Sequence, residues 1–247
     1  MKQIVLKVLT GLLLANNVAA QEPDWKDYAE VLKSVKYGIK NGTPLALVDY
    51  AALKHNGLVE KVYQQISAYP IASLKGKNET LAFYINTYNI LALKTVVDHW
   101  PLESIKDVGS FFKPVWGKEA GTIGGNRVSL DDIENHIIRP MGEPRIHLAI
   151  VCASVSCPDL RSEPYTAAIL NKQLDEQANA FLGNDKKGLY MTENEITVSK
   201  IFKWFKKDFD KAGGVDLFIR SYRTDLPIEY EINADIDYDW SVNGMVK

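Results

Sequence analysis

The stretch that decides the fold is LAFYINTYNILALKTVV, residues 81–97, in which Lys94 is the only charged side chain. A helix built from it is apolar around almost its whole circumference, a pattern typical of a helix buried on all sides. Asn78 is a suitable N-cap, and Pro101 disfavours helical continuation at Trp100. The sequence therefore predicts a central buried helix over residues 79–99.

Further helices are predicted on both sides of this segment. Apolar spacing and end signals predict helices over 25–37, 45–55 and 58–68 before it. After it, a helix is predicted over 130–139, where Ser129 and Asp132 form a loose capping box, and another over 167–182. Ser199 is the expected cap of an aromatic helix over 200–209, which is typical of a core or an interface rather than of a cofactor site.

Extended segments are expected between these helices. Hairpins are predicted over 115–128, around Gly124-Gly125, and over 189–198. The run IHLAIVCA, residues 146–153, is almost wholly apolar and predicts a strand buried on both faces. The expected fold class is α+β: a helix-rich single domain over 21–247 with a central buried helix and a small mixed sheet.

The first twenty residues have the pattern of a cleavable secretory signal. Lys2 precedes an apolar run over 4–14, and Val18-Ala19-Ala20 supplies small residues for cleavage. The run is too short to span a bilayer, which needs about 20 residues, and no later segment predicts a span. We therefore expect a periplasmic or secreted protein whose mature chain begins near Gln21.

The net charge of the chain argues against nucleic acids as partners. Removal of Lys2 and Lys7 leaves 27 of the 29 basic residues against 31 acidic ones, a net charge of −4. A mildly acidic chain without a basic run gives no support for nucleic-acid binding.

The only two cysteines, Cys152 and Cys157, are separated by four residues. In an oxidising compartment such a pair favours a disulfide, provided that the chain turns back between them. The alternative is that Cys157, in a loop after the predicted strand, is a reactive thiol.

Five segments together resemble a bacterial family known as domain of unknown function 547, which also occurs in plants beside leucine-zipper segments. They are AFYINTYNILALK (82–94), VSLDDIENHIIRP (128–140), PRIHLAIVCASVSCPDL (144–160), VSKIFKWFKKDF (198–209) and YDWS (238–241). The resemblance extends over about 45–245 and implies no defined activity. The positions that it marks as candidates are Asn86, Tyr88, Asn89, Glu134, His147, Cys152 and Cys157. The family often has Tyr where this chain has Phe205.

Polar residues among apolar neighbours are the candidate site residues. Asn86 and Asn89 share one helix face and either tie a loop to the helix or, with Tyr88, position a substrate. His147 enters the apolar strand as a core residue or as a base, and strand alternation would keep it apart from Cys152. Glu134 lies beside an isoleucine stripe, either in a salt bridge to Arg139 or Arg145 or as the group that orients an imidazole.

Two functions follow as hypotheses. The first is thiol-dependent acyl transfer or amide hydrolysis in a polar cleft, with Cys157 as nucleophile, His147 as base and Glu134 as orienting group. The alternative is a non-catalytic module that binds a peptide or a glycan and is stabilised by a Cys152–Cys157 disulfide. No cofactor and no metal site is expected, because scattered histidines make zinc binding by the two cysteines a weak alternative. The partner would be a small molecule, peptide or glycan.

Overall fold

The computed structural model describes residues 23–192 and 195–245; the predicted signal segment, residues 1–20, lies outside them. Within these ranges no helix is both long and apolar enough to cross a membrane.

The N-terminal part corrects two predicted helices. Helix α1 (Lys26–Leu32) ends early and is followed by an antiparallel hairpin of β1 (Val35–Lys40) and β2 (Thr43–Val48). Asn41 and Gly42 both have positive φ, 52° and 78°, as a two-residue hairpin turn requires. The predicted helices over 25–37 and 45–55 were therefore wrong where the hairpin intervenes.

Two short helices complete this part of the chain. Helix α2 (Tyr50–Asn56) is capped by Asp49, whose side chain accepts a hydrogen bond from the amide of Ala52. Helix α3 (Leu58–Ser67) confirms the helix predicted over 58–68. It packs against the central helix.

The predicted central helix is confirmed as α4 (Lys77–His99). Every residue from Leu81 to Leu93 is buried, so the main hydrophobic core forms around it. The helix begins after Gly76, two residues earlier than predicted, so Asn78 lies within it rather than at its cap.

A hairpin and a π-helix follow α4. Strands β3 (Glu119–Ile123) and β4 (Asn126–Ser129) confirm the hairpin predicted at Gly124-Gly125. The capping box is also present, because Asp132 accepts from the Ser129 amide (2.8 Å) and the Asp132 amide donates to the Ser129 hydroxyl (3.0 Å). The helix that it starts is a π-helix over most of its length (Asp132–Ile138).

The predicted strand over 146–153 was wrong. Residues Pro144–Leu148 form a 3₁₀ helix, and the chain then runs irregularly to the cysteines, with Ala153 at a φ of 61°. The run is buried, as its apolar residues indicate, but its backbone pairs with a side chain of α4 rather than with neighbouring strands. The strand alternation that would have separated His147 from Cys152 therefore does not apply.

The C-terminal part contains the small mixed sheet. Helix α5 (Leu170–Leu182) and the antiparallel pair β5 (Leu189–Met191) and β6 (Glu195–Ser199) confirm their predictions. Helices α6 (Ile201–Trp204), α7 (Lys206–Lys211) and α8 (Val215–Tyr222) follow, and β7 (Glu231–Ile236) pairs parallel with β6. The predicted helix-rich α+β fold is confirmed.

The buried apolar residues form two clusters. The larger surrounds α4, and the smaller includes residues of β6, α6 and α7. Tyr238 packs against both clusters. The junction between them is where the candidate site lies.

Candidate functional site

A cavity of about 380 Å³ is lined by residues of both hydrophobic clusters. Six aromatic side chains form much of its wall: Tyr88, Trp116, Trp204, Phe205, Tyr238 and Trp240. Five polar or charged side chains also line it: Asp131, Glu134, Asn135, Arg139 and His147. Ligand pockets of about 300–1,000 Å³ commonly combine apolar walls with a few polar groups in this way.

The aromatic rings are in contact with one another. Tyr238 and Trp240 have ring centroids 4.5 Å apart, and Trp204 lies 4.9 Å from Tyr238 and 5.8 Å from Trp240. Trp116 meets Trp240 edge-on at 5.5 Å. Rings held by neighbouring rings lose little conformational freedom when a ligand binds, so the wall is preorganised.

Glu134 is the central carboxyl of the cavity. It lies on the π-helix, a conformation that occurs frequently at functional sites. Its side chain is 11% exposed. Burial raises the pKa of Glu134 to about 7, although the charge of Arg139 and a hydrogen bond from Tyr88 act in the opposite direction. Near neutral pH the carboxyl is therefore close to half protonated.

His147 lies next to Glu134 in the cavity lining, and its side chain is fully buried. Its ring stacks on Phe205 at 3.8 Å, and Nδ1 is 4.0 Å from Oε1 of Glu134, beyond hydrogen-bond distance. Its Nε2 is 3.0 Å from Oδ2 of Asp208. Burial lowers the pKa of His147 to about 4 despite the nearby carboxylate, so the ring is neutral near pH 7.

Asp208 fixes the orientation of the imidazole. Oδ2 of Asp208 also accepts a 2.6 Å hydrogen bond from Nε of Arg139. Burial alone would raise the pKa of Asp208, but the hydrogen bonds from Arg139 and His147 outweigh it and lower the pKa. An ionised Asp208 accepts, so Nε2 of His147 carries the proton and Nδ1 is left as an acceptor.

That acceptor has no hydrogen-bond partner among the described residues. A buried polar atom without a partner costs about 1–3 kcal/mol, so its retention calls for a reason other than stability. The His147 ring is not exposed to solvent, whereas the Glu134 side chain is partly exposed. Glu134 is therefore the group that a ligand would contact, while the hydrogen bond with Asp208 fixes the His147 ring.

Cys152 and Cys157 form a disulfide whose sulfurs belong to the cavity wall. The chain turns back between them as the disulfide prediction required, with Cα atoms 6.2 Å apart. In this oxidised form Cys157 has no thiol to act as a nucleophile.

The predicted substrate-positioning residues separate into two groups. Tyr88 lines the cavity. Asn86 and Asn89 do not line it, and each makes two hydrogen bonds to backbone groups instead. Asn86 bonds to the carbonyl (2.8 Å) and amide (2.9 Å) of Tyr165, and Asn89 to the carbonyl of Ala149 (3.1 Å) and the amide of Val151 (2.8 Å). They hold the walls of the site in place.

Sequence reasoning missed Asp208 and the aromatic wall. Asp208 lies 61 residues from His147 in the chain, and in the sequence it is one charge among many near the end of an amphipathic segment. Trp204, Tyr238 and Trp240 do lie in two of the motifs that carried the family resemblance, 198–209 and 238–241. Those motifs were the available signal.

Within residues 23–192 and 195–245, no group of three or more His, Cys, Asp or Glu side chains is arranged to hold a metal ion. The site is thus defined by an aromatic cavity, a carboxyl of raised pKa and a disulfide, within a helix-rich α+β domain.

Residues 71–182 match the model of a family described as protein of unknown function, DUF547. The match confirms, over residues 71–182, the family resemblance that the motifs indicated. The matched region contains α4, the π-helix and both cysteines, but not the motifs at 198–209 and 238–241. No curated protein and no solved structure matches the chain significantly.

Proposed function

We propose that this protein is an exported binding module whose cavity holds a sugar ring of a glycan. The observation that carries the proposal is the aromatic wall of Trp116, Trp204, Tyr238 and Trp240, which faces a small set of carboxyl and amide groups. A pyranose has flat C–H faces that stack on indole and phenol rings, and hydroxyl groups around its edge. Walls that offer both kinds of contact suit such a ligand.

The polar groups favour a ligand rich in hydroxyl groups. The carboxyls of Glu134 and Asp131 line the cavity and can accept hydrogen bonds, and the Asn135 amide beside them already donates to Asp131 and accepts from Arg139. Arg139, the cation among these lining residues, is already engaged by Asp208 and by Asn135. Among the residues that line the cavity, the carboxyls of Glu134 and Asp131 outnumber this one cation, which favours a neutral glycan over a strongly anionic ligand.

Export supports the same proposal. The N-terminal pattern of residues 1–20 and the disulfide both favour work outside the cytoplasm, in the periplasm or beyond it. Mass spectrometry of protein from its own host should find a chain that begins at or near Gln21. Full-length chain in the cytoplasm would overturn this part of the proposal.

Thiol-dependent acyl transfer or amide hydrolysis is the second candidate. It is favoured by one observation: Cys157, His147 and Glu134 line a single cavity, and the imidazole is oriented by Asp208. It requires the disulfide to be opened first. Amide and ester hydrolysis that appears only after reduction, and is absent in Cys157→Ser, would support it.

The test of glycan binding is a calorimetric titration of a panel of neutral oligosaccharides into the oxidised protein. Trp204→Ala removes a ring that is 46% exposed, so the fold should survive while affinity falls at least tenfold. Phe112→Ala is the matched control, because this ring is 93% exposed and does not line the cavity, and its affinity should equal that of the wild type. Equal losses in both variants, or binding of peptides but of no oligosaccharide, would contradict the proposal.

A further inference from the structure

The disulfide has surroundings that a purely structural bond does not need. Cys157 is 3% exposed, whereas Cys152 is partly exposed, and both line the cavity. Cys152 is therefore the more accessible of the two cysteines, and Cys157 is the enclosed one.

Two donors are directed at the enclosed sulfur. The backbone amide of Cys152 lies 3.1 Å from Sγ of Cys157, and the Tyr238 hydroxyl lies 3.2 Å from it. The same hydroxyl is farther, 3.5 Å, from Sγ of Cys152, which lies 3.2 Å from the Ser154 hydroxyl. A sulfur in a disulfide is a weak acceptor, whereas a thiolate accepts charge-assisted hydrogen bonds. The pair of donors thus favours Cys157 as a thiolate, which is the state reached after the bond opens.

Tyr238 is suited to this role because it stays protonated. Burial raises its pKa above the ordinary value, so it remains a donor through the neutral range. Its ring is held between Trp204 and Trp240, which fixes the direction of the hydroxyl.

We propose that the Cys152–Cys157 bond is a redox-active disulfide that exchanges with a dithiol entering through the cavity. A thiolate of the dithiol attacks Sγ of Cys152, the Cys152–Cys157 bond breaks, and Cys157 leaves as a thiolate held by the Cys152 amide and the Tyr238 hydroxyl. The second thiolate of the dithiol then attacks its own mixed-disulfide sulfur. Cys152 is released and takes up a proton, so the dithiol is oxidised by two electrons and the protein disulfide is reduced.

This activity is independent of glycan binding, and its failure would leave the first proposal standing. Dithiothreitol is the probe, added to the native oxidised protein, with free thiols counted over time and circular dichroism recorded to show that the fold persists. The wild type should be reduced while folded. A bond that opens only after denaturant is added would overturn the proposal.

Tyr238→Phe tests the role of the donor. It keeps the ring and its packing but removes the hydroxyl, so reduction of the folded protein should slow about tenfold, the effect of one lost charge-assisted hydrogen bond. Tyr190→Phe removes the hydroxyl of an exposed tyrosine and should leave the rate unchanged. Equal rates in Tyr238→Phe and the wild type would show that the hydroxyl does not stabilise the leaving sulfur.

A second variant covers the case in which Tyr238→Phe fails to fold. In Cys152→Ser the thiol of Cys157 is free while the amide of residue 152 is retained. The thiolate absorbance of Cys157 near 240 nm should appear at a lower pH in the folded variant than in the same variant unfolded in urea. An equal or higher pH of thiolate formation in the folded variant would overturn the proposal.

Discussion

The buried amides of α4 and the buried carboxyl of the π-helix differ in their hydrogen bonding. On α4, Asn86 and Asn89 each make two hydrogen bonds to backbone groups of neighbouring segments. On the π-helix, Glu134 is buried with a raised pKa beside an imidazole nitrogen that has no partner among the described residues. The first arrangement joins segments of the fold. The second arrangement leaves hydrogen-bonding groups without partners at the edge of a cavity, where a ligand can bind to them.

The difference offers a physical criterion for separating structure from function. A buried amide whose donors and acceptors are all paired stabilises one conformation and leaves little capacity for a ligand. A buried carboxyl that is neither fully solvated nor fully paired lowers stability, so its presence points to another role. The predictions below test this distinction in order of decreasing effect.

Asn89→Ala should cause the largest loss of stability. It leaves the carbonyl of Ala149 and the amide of Val151 without a hydrogen-bond partner in the core, at a cost of about 1–3 kcal/mol each. The free energy of unfolding should therefore fall by about 4 kcal/mol. Urea denaturation measures it. Asn179→Ala, at an exposed position of α5, is the control and should change stability by less than about 0.5 kcal/mol. Similar values for both variants would contradict the structural role of Asn89.

Glu134→Gln should change the pH dependence of stability. The folded-state pKa of about 7 lies above the ordinary value of 4.5, so the folded protein binds more protons between these values. The wild type should therefore lose stability as pH rises from 4.5 to beyond 7, by up to about 3 kcal/mol relative to Glu134→Gln. Parallel urea series from pH 4.5 to 8 give the difference curve. A flat difference curve would show that Glu134 has an ordinary pKa.

His147→Gln should change the pH dependence of stability in the opposite direction. The pKa of His147 is lowered from 6.5 to about 4, so the wild type loses stability as pH falls through this interval. Relative to His147→Gln, that loss should approach about 3 kcal/mol at pH 4, and in the wild type it should partly cancel the effect of Glu134 between pH 4.5 and 6.5. A difference curve of the same sign as that for Glu134→Gln would be inconsistent with a neutral buried imidazole.

Of these four changes, opening of the disulfide should have the smallest effect on the free energy of unfolding. The closed loop is short, with a sequence separation of 5, and chain-entropy arguments give about 2 kcal/mol for a loop of this size. The reduced protein should therefore melt at a lower temperature yet remain folded at 25 °C. Complete unfolding on reduction would show that the cavity wall depends on the bond.

The sequence revealed the elements whose signals are local. The central helix follows from an uninterrupted apolar stretch, and the hairpin at Gly124-Gly125 follows from residues that tolerate positive φ. The β1–β2 hairpin had the same kind of signal, Asn41-Gly42, but the apolar spacing on either side was interpreted as helical. There the turn chemistry was the stronger indicator.

The site was only partly predictable because its parts are distant in the chain. Glu134 and His147 were candidates from their placement among apolar residues and Cys157 from its loop after the predicted strand, and the structure brings all three to one cavity. Asp208 lies in the motif 198–209, but its contact with His147 forms only on folding and is not visible in the local pattern. The strand predicted over 146–153 failed because the hydrogen bonds of that segment are made by a side chain, that of Asn89, which periodicity does not detect.

The contrast between the cavity and α4 rests on Glu134, and its carboxyl can be titrated directly. Carbon-13 NMR of protein labelled at the glutamate side chains, with Glu134→Gln used to assign the resonance, would give its pKa in the folded state. The account predicts a midpoint near pH 7. A midpoint near the ordinary value of 4.5 would mean that Glu134 is well solvated or fully paired, and would remove the contrast with Asn86 and Asn89.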